Sequence, residues 1–189
     1  LSWGLNWPVM KVGVTGFPPL FFRTLSMWVG LPVLAAVLAT RRVPFAIARA
    51  DWPELVKLSF TNMIVWHVLA ILAVQALSSG RAAILGYTMP IFSALWGVAV
   101  FGERLRPRHI AGIVAAGIGV SLLLWHEFAS IVGRPLAALG MLVAAALWGL
   151  GTQQMRRTKI AAPTLAIVFW MTALSTLVMS VATFLFERD

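Results

Sequence analysis

The sequence predicts an all-α transmembrane helix bundle, and three observations lead to that fold class. Hydrophobic residues make up 60% of the 189 residues and charged residues only 11%, and the mean hydropathy is +0.90. A water-soluble core of this length could not enclose so much apolar surface. The apolar residues also occur in uncharged runs of bilayer length, about 20 residues for a helix. These runs are apolar on all sides, whereas membrane β-strands alternate between polar and apolar residues.

Charged and turn-forming residues divide the chain into about seven such spans. The first span covers residues 1–15 and contains a single charge, Lys11. The six uncharged spans occupy residues 24–40, 58–80, 82–102, 110–126, 135–155 and 160–186. The longest connection, from Arg41 to Glu54, contains two prolines and several cations, which indicates a segment at the membrane interface.

The positive charges lie mainly on one side of the predicted bundle. Ten cations lie in the connections after spans two, four and six, and three lie on the opposite side. The larger group is Arg41, Arg42, Arg49, Lys57, Arg104, Arg106, Arg108, Arg156, Arg157 and Lys159, and the smaller group is Arg81, Arg134 and Arg188. This asymmetry follows the positive-inside rule and predicts a cytoplasmic N-terminus. The net charge of +9 therefore reflects membrane topology and implies no nucleic-acid partner.

A short motif occurs twice at a constant offset of 145 residues. Its members are Trp3-Gly4-Leu5, Met10-Lys11 and Pro18 in the first copy, and Trp148-Gly149-Leu150, Met155-Arg156 and Pro163 in the second. Five spans lie in the first unit, an odd number, so the second copy must enter the membrane from the opposite side. Such inverted repeats are common in secondary transporters. We therefore predict two units, residues 1–126 with five spans and residues 136–189 with the first two spans of an inverted copy.

Further motifs resemble a known family. The relevant residues are Trp3-Gly4-x-Asn6, Lys11, Pro18 and Arg23 near the start, Tyr87-x-x-Pro90, Gly102-Glu103-Arg104-Leu105, Gly112 and Gly117-x-Gly119 in spans four and five, and Trp148-Gly149 in span six. In these motifs the chain resembles the drug/metabolite transporter superfamily with its EamA-type domains, over nearly its whole length. The resemblance implies ten spans in two inverted halves, a central substrate cavity, and export or uptake of small metabolites.

The same resemblance implies that three further spans complete the protein. We therefore expect the present chain to be a truncated fragment that does not transport by itself. The family and the short connections also lead us to expect a multi-pass protein of the bacterial inner membrane.

The first span places candidate substrate ligands at helical spacing. Trp3 and Asn6 are three residues apart, and Trp7 lies four residues after Trp3, so these side chains share one face. An aromatic ring beside an amide suits a polar substrate with an apolar body. Helix packing through Asn6, with Trp3 at the membrane interface, is the alternative. Lys11 either faces the cavity and binds anionic groups or extends to the lipid headgroups.

The middle spans supply His67, Tyr87 and Pro90. His67 is the deepest polar group of span three and suits a proton-coupling role, the alternative being a neutral histidine bonded to a neighbouring helix. Pro90 removes a backbone hydrogen bond and predicts a kink three residues after Tyr87, and interrupted helices often mark transporter sites. Trp148, the counterpart of Trp3 in the repeat, completes the predicted substrate-binding set.

Glu103 lies where span four meets the cation-rich side of the membrane. Its carboxylate could serve as a gate or as a proton carrier. An ion pair with a neighbouring arginine, Arg156 and Arg157 among them, is the interpretation we favour.

These features favour a secondary transporter of small metabolites or drugs that works by alternating access. An integral membrane enzyme is the runner-up, but the three histidines are scattered, and neither His-Glu-x-x-His nor Gly-x-Ser-x-Gly occurs. A non-transporting scaffold is the third alternative, against which the inverted repeat argues. We expect a small-molecule substrate and the lipid bilayer as partners, no cofactor, no metal site and no enzymatic activity. Proton coupling, substrate identity and the direction of transport stay open.

Overall fold

The computed structural model describes residues 2–125 and 134–187, with the side chains of residues 2, 3 and 124 excepted. This part of the chain is helical and contains no strand, which confirms the predicted all-α fold class. The helices are α1 (Ser2–Gly16), α2 (Pro19–Thr40), α3 (Trp52–Ser59), α4 (Val65–Ala76), α5 (Ser79–Gly86), α6 (Met89–Ala99), α7 (Pro107–Trp125), α8 (Pro135–Met155) and α9 (Thr164–Phe186).

Five helical segments are long and apolar enough to cross a membrane. They are Pro19–Thr40, Arg49–Ala76, Ser79–Ala99, Pro135–Met155 and Thr164–Phe186. Helix α7 contributes a shorter apolar stretch, Pro107–Leu123, and α1 has 15 residues with Pro8 inside it. Each of the seven predicted spans therefore corresponds to a helical segment, with the first and fifth shorter than the others.

The third span begins earlier than the sequence led us to expect. A 3-10 turn, Arg49–Asp51, leads directly into α3 at Trp52, whereas residues up to Glu54 were assigned to a connection. Pro53 stands in the first turn of α3, where the missing N–H of proline is tolerated, and the carboxylate of Glu54 suits the positive end of the helix. The residues interpreted as a loop are thus helix-starting residues.

Helix α8 is central and packs against α4, α5 and α6. Gly149 makes a very close approach, because a methyl group added there would lie 2.7 Å from the backbone nitrogen of Ser93 and 3.0 Å from the carbonyl oxygen of Met89. Gly151 meets the side chain of Asn62 at similarly close range. Helices in lipid associate through such close contacts, since no hydrophobic effect drives them together there.

Helices α2 and α9 form an antiparallel pair. The amides of Leu20 and Phe21 at the start of α2 donate to the carboxylate of Glu187 beyond α9, at 2.9 and 2.7 Å. One turn further along, the hydroxyls of Thr24 and Thr183 are 2.8 Å apart. The two helices are the second spans of the two predicted units, and an antiparallel pair is the arrangement expected of an inverted repeat.

Two other features of the fold agree with the repeat. The matched prolines both precede a helix with the same backbone geometry, φ −54° and ψ 134° at Pro18 and φ −56° and ψ 138° at Pro163. The matched cations lie at opposite ends of the bundle, Lys11 beside the end of α4 and Arg156 at the end with most of the arginines, which we call the cation-rich end. The unit boundaries stay a prediction that these features support.

The glycine contact of α8 can be tested with two matched substitutions. Gly149→Ala pushes a methyl group against the backbone of α6, and we expect it to destabilise the protein by about 1–3 kcal/mol. Gly140→Ala lies on the same helix with open space around the added methyl group, so it should leave stability unchanged or slightly raise it. Thermal unfolding of the complete protein in detergent measures both. Equal melting temperatures would contradict the close contact.

Candidate functional site

Four aromatic side chains meet inside the bundle. The ring centroid of Trp7 on α1 lies 6.1 Å from that of Tyr87 and 6.2 Å from that of Trp66 on α4. Trp66 in turn lies 4.9 Å from Trp148 on α8. All three pairs meet edge to face, an arrangement that the quadrupoles of aromatic rings favour. We call Tyr87, Trp7, Trp66 and Trp148 the aromatic row.

The aromatic row connects the buried core with an exposed surface. Trp7 is 1% exposed and Trp66 is 6% exposed, whereas Tyr87 is 43% exposed. The indole N–H of Trp7 donates to the phenol oxygen of Tyr87 at 3.3 Å. This bond fixes the tyrosine ring and leaves its own O–H available as a donor. Tyr87 therefore presents both an aromatic edge and a hydroxyl at the accessible end of the row.

A break between α5 and α6 positions Tyr87. Helix α5 ends at Gly86 and α6 begins three residues later, so the predicted kink is confirmed as an interruption of the span. Pro90 has no N–H for the carbonyl of Gly86, which the helix would otherwise bond. A methyl group at Gly86 would lie 3.0 Å from the ring of Trp7, so this glycine lets the ring approach. Pro90 itself lines a different cavity, between α6, α7 and α8.

A π-helical turn, Phe60–Ile64, interrupts the helix between α3 and α4. Such a turn shifts the amide donors by one residue and leaves backbone carbonyls that polar side chains can bond. The amide of Asn62 donates to the carbonyl of Leu58 at 3.1 Å. Nδ1 of His67 lies 2.6 Å from the carbonyl of Met63, which places a proton on that nitrogen. The candidate proton-coupling histidine is therefore buried and bonded to its own helix.

Lys11 caps the end of α4. Its ammonium donates to the carbonyl oxygens of Val74, Gln75 and Leu77 at 2.9, 2.9 and 2.8 Å. The last carbonyls of a helix lack intrahelical partners and carry the negative end of its dipole. Three bonds use all three donors of the ammonium. This is neither of the two arrangements considered from the sequence, and a role of Lys11 in substrate binding stays a prediction.

Asn6, another predicted ligand of α1, does not join the cap formed by Lys11. The amide of Asn6, which is half-buried, donates to the sulfur of Met10 at 3.7 Å on the same helix. Trp3 lies in α1, but its side chain is outside the described residues. Of the predicted substrate-binding residues, Tyr87 and Trp148 are brought together in the aromatic row, and their binding role stays a prediction.

A polar network joins α6 to α8 at the cation-rich end. The guanidinium of Arg157 pairs with the carboxylate of Glu103, so the favoured interpretation of this carboxylate as an ion-pair partner is confirmed. Arg157 also donates to the backbone and side-chain oxygens of Gln153 at 2.9 and 2.5 Å. Gln153 donates onward to the carbonyl of Ser93 at 2.7 Å. Gly97 leaves room for the two side chains that converge there.

Trp66 was not recognised from the sequence as part of the site. It lies between Asn62 and His67, in a span from which only His67 was predicted to join the site. Its position is nevertheless informative, because tryptophans in membrane proteins favour the two interfaces. A tryptophan deep within a span, one residue before a buried histidine, is the signal that identifies it.

These observations define a class, an integral multi-pass membrane protein whose helices are interrupted beside a row of aromatic rings that runs from the core to the surface. The model of the EamA-like transporter family matches residues 1–125. The chain therefore belongs to the EamA-like transporter family, and the resemblance inferred from its motifs is confirmed.

Several curated relatives are transporters by name. The probable amino-acid metabolite efflux pump of Escherichia coli is 32% identical over 156 residues, covering 79% of this chain and 48% of the relative. The uncharacterized transporter YoaV of Bacillus subtilis is 28% identical over 151 residues, covering 79% and 52%. The aromatic amino acid exporter YddG of Ancylobacter novellus is 27% identical over 143 residues, covering 74% and 50%. The chain spans about half the length of these relatives.

A solved crystal structure shares the same fold. The two superpose with a TM-score of 0.75 at 23% identity, covering 98% of this chain and 65% of the other chain. At this level of identity the match concerns the fold alone.

The cap formed by Lys11 predicts a loss of stability that a surface lysine does not share. Lys11→Met leaves three carbonyls at the end of α4 without their cation, and we expect a loss of about 1–3 kcal/mol. Lys57→Met is the matched control, since Lys57 is exposed and its ammonium makes no hydrogen bond within residues 2–125 and 134–187. Thermal unfolding compares the two. A Lys11→Met protein with unchanged stability would contradict the cap and favour a binding role.

The network at the cation-rich end predicts energetic coupling between α6 and α8. Glu103→Gln, Arg157→Gln and the double variant form a double-mutant cycle. Because both partners are about one-third exposed, we expect a coupling free energy of roughly 0.2–1 kcal/mol that weakens with added salt. Chemical unfolding measures it. Strictly additive effects would show that the pair makes no net contribution.

Proposed function

We propose that the complete protein is a secondary active transporter of small organic metabolites, working by alternating access between two inverted units. The observation that carries this proposal is the aromatic row. Three of its rings belong to the first predicted unit, and the fourth, Trp148, belongs to the second. A substrate held by rings from both units makes different contacts when the units rotate, and such a difference is what couples binding to conformational change.

The chemistry of the row favours a substrate with an apolar or aromatic body and a hydrogen-bond acceptor. Edge-to-face contact with tryptophan rings suits another ring, and the hydroxyl of Tyr87 supplies one donor. The relatives named as an amino-acid metabolite efflux pump and an aromatic amino acid exporter are in line with this chemistry. We therefore propose export of amino acids or related metabolites with apolar side chains.

Alternating access requires contacts that close one side while the other opens. At one end of the bundle, Glu187 holds α9 of the second unit to α2 of the first. At the cation-rich end, Glu103 and Arg157 hold the connection after α6 to the end of α8. We propose that these two sets of contacts alternate, each breaking when its own side of the protein opens.

The proposed orientation places the cation-rich end in the cytoplasm. It rests on the ten cations that the sequence assigns to that side against three on the other. The same family membership supports the bacterial inner membrane as the location. An integral membrane enzyme and a non-transporting scaffold are the alternatives, and both predict no movement of substrate across the bilayer.

Flux in liposomes tests the proposal. The complete protein is reconstituted, and transport of labelled phenylalanine, tryptophan and leucine is followed with and without an imposed proton gradient. Trp148→Leu removes the ring contributed by the second unit, and we expect the KM for an aromatic substrate to rise about tenfold. Trp125→Leu is the matched control, because Trp125 is 79% exposed on α7, away from the aromatic row.

The two variants separate the outcomes. Normal flux with Trp125→Leu and weakened substrate affinity with Trp148→Leu would support the row as the binding site. Equal behaviour of the two variants would contradict the row as a binding site. No flux of any compound by the folded wild-type protein would contradict the transport function and favour the scaffold or the enzyme.

A further inference from the structure

A groove with a basic rim opens between α6, α7 and α8 at the cation-rich end. Its volume is about 780 Å³. The cationic side chains that line it are Arg104, Arg106 and Arg156, and His109 lies beside them. Arg104 and Arg106 belong to the connection after α6, next to Glu103 of the polar network. Arg156 belongs to the end of α8, next to Arg157 of the same network. The groove does not include any member of the aromatic row.

The arginines of the groove have no anionic partner among the described residues. Within residues 2–125 and 134–187, the guanidinium groups of Arg104, Arg106 and Arg156 make no hydrogen bond or ion pair. One carboxylate lines the groove, that of Glu103, and it is already paired with Arg157. Helix α7 begins at Pro107, so the positive end of its dipole adds to the same field. The rim therefore carries three arginine charges that can bind an anion.

Below the rim the groove is mainly apolar, with Ser93, Thr152 and Gln153 as its polar residues, and it continues along one face of α7. The residues of α7 that line it are His109, Gly112, Ile113 and Ala116. Their spacing of three, one and three residues places them on one side of the helix. Gly112 and Ala116 are small, and their size creates the space of the groove. From His109 to Ala116 the helix rises seven residues, which corresponds to a depth of about 10 Å. Pro90 lines the same groove from α6.

A charged rim above an apolar channel selects an anion that carries an apolar tail. A soluble anion would use the arginines but leave the channel empty. Arginine binds phosphate oxygens through two parallel hydrogen bonds, and basic clefts between transmembrane helices on the cytoplasmic side bind anionic lipid headgroups. The positive-inside rule assigns the cation-rich end to the cytoplasm, so the lipid that matches this rim is one of the cytoplasmic leaflet.

We propose that this groove binds an anionic phospholipid of the cytoplasmic leaflet. Its phosphate contacts Arg104, Arg106 and Arg156, and an acyl chain lies along the face of α7 formed by Gly112 and Ala116. The lipid fills the space between α7 and the α6–α8 pair. This site is separate from the substrate site proposed for the aromatic row. The proposal of a lipid site therefore does not depend on the proposed transport function.

Lipid retention tests the charged rim. The complete protein is extracted from vesicles containing phosphatidylglycerol and phosphatidylcholine, washed in detergent, and examined by native mass spectrometry. Arg104→Gln, Arg106→Gln and Arg156→Gln are combined in one variant, and we expect its affinity for phosphatidylglycerol to fall roughly a hundredfold. The matched control combines Arg41→Gln, Arg42→Gln and Arg49→Gln, which removes three charges from the same end outside the groove, and should retain the lipid.

A second variant tests the apolar channel without changing any charge. Gly112→Leu fills the channel, and we expect retained phosphatidylglycerol to decrease while binding of inorganic phosphate stays the same. Competition by inorganic phosphate as strong as that by phosphatidylglycerol would overturn the proposal in favour of a soluble-anion site. Equal loss of lipid in the two triple variants would overturn it in favour of general surface attraction. No retained phosphatidylglycerol in the wild-type protein would overturn it outright.

Discussion

The contact of Gly149 with the backbone of α6 is the interaction on which the rest of the structure depends. Successive residues of a helix point about 100° apart, so the glycine that meets α6 leaves the preceding Trp148 directed towards Trp66 on α4. One turn further on, Gln153 reaches the carbonyl of Ser93. The close contact at Gly149 therefore fixes the orientation of α8, and with it the positions of Trp148 in the aromatic row and of Gln153 in the polar network.

The polar residues of the bundle serve mainly its own interrupted backbone. In lipid, a carbonyl or amide released by a break must be bonded within the protein, since no water replaces the lost partner. Asn62 bonds a carbonyl just before the π-helical turn, His67 bonds one within it, and Lys11 bonds the last carbonyls of α4. His67 and Lys11, two of the residues predicted from the sequence to bind a substrate, are thus engaged by the protein.

The sequence predicts the outline of this fold well, because composition and run length decide which residues enter a bilayer. Most of the spans and the interruption near Pro90 follow from local patterns. The ion pair of Glu103 with Arg157 was expected because both residues lie in cation-rich connections, although they are 54 positions apart. The start of the third span at Trp52 was missed because its charged first turn resembles a connection.

The contacts of the site depend on residues far apart in the chain. The cap formed by Lys11 joins residues more than sixty positions apart, and no local pattern contains it. The π-helical turn is likewise set by packing, since Asn62 lies against Gly151 of α8. Trp66 is predictable only when its depth in the span is weighed against the usual interfacial position of tryptophan.

The central claim that unites these contacts is that α8 and α9 begin a second unit, inverted against the first. The most direct measurement is cross-linking between α2 and α9 in membranes, which is straightforward because the chain contains no cysteine. Thr24→Cys with Thr183→Cys should cross-link readily, because the two hydroxyls are 2.8 Å apart in the antiparallel pair. Cross-linking of Thr24→Cys with Phe169→Cys instead, the positions that the 145-residue repeat offset would align in a parallel arrangement, would contradict the inverted architecture.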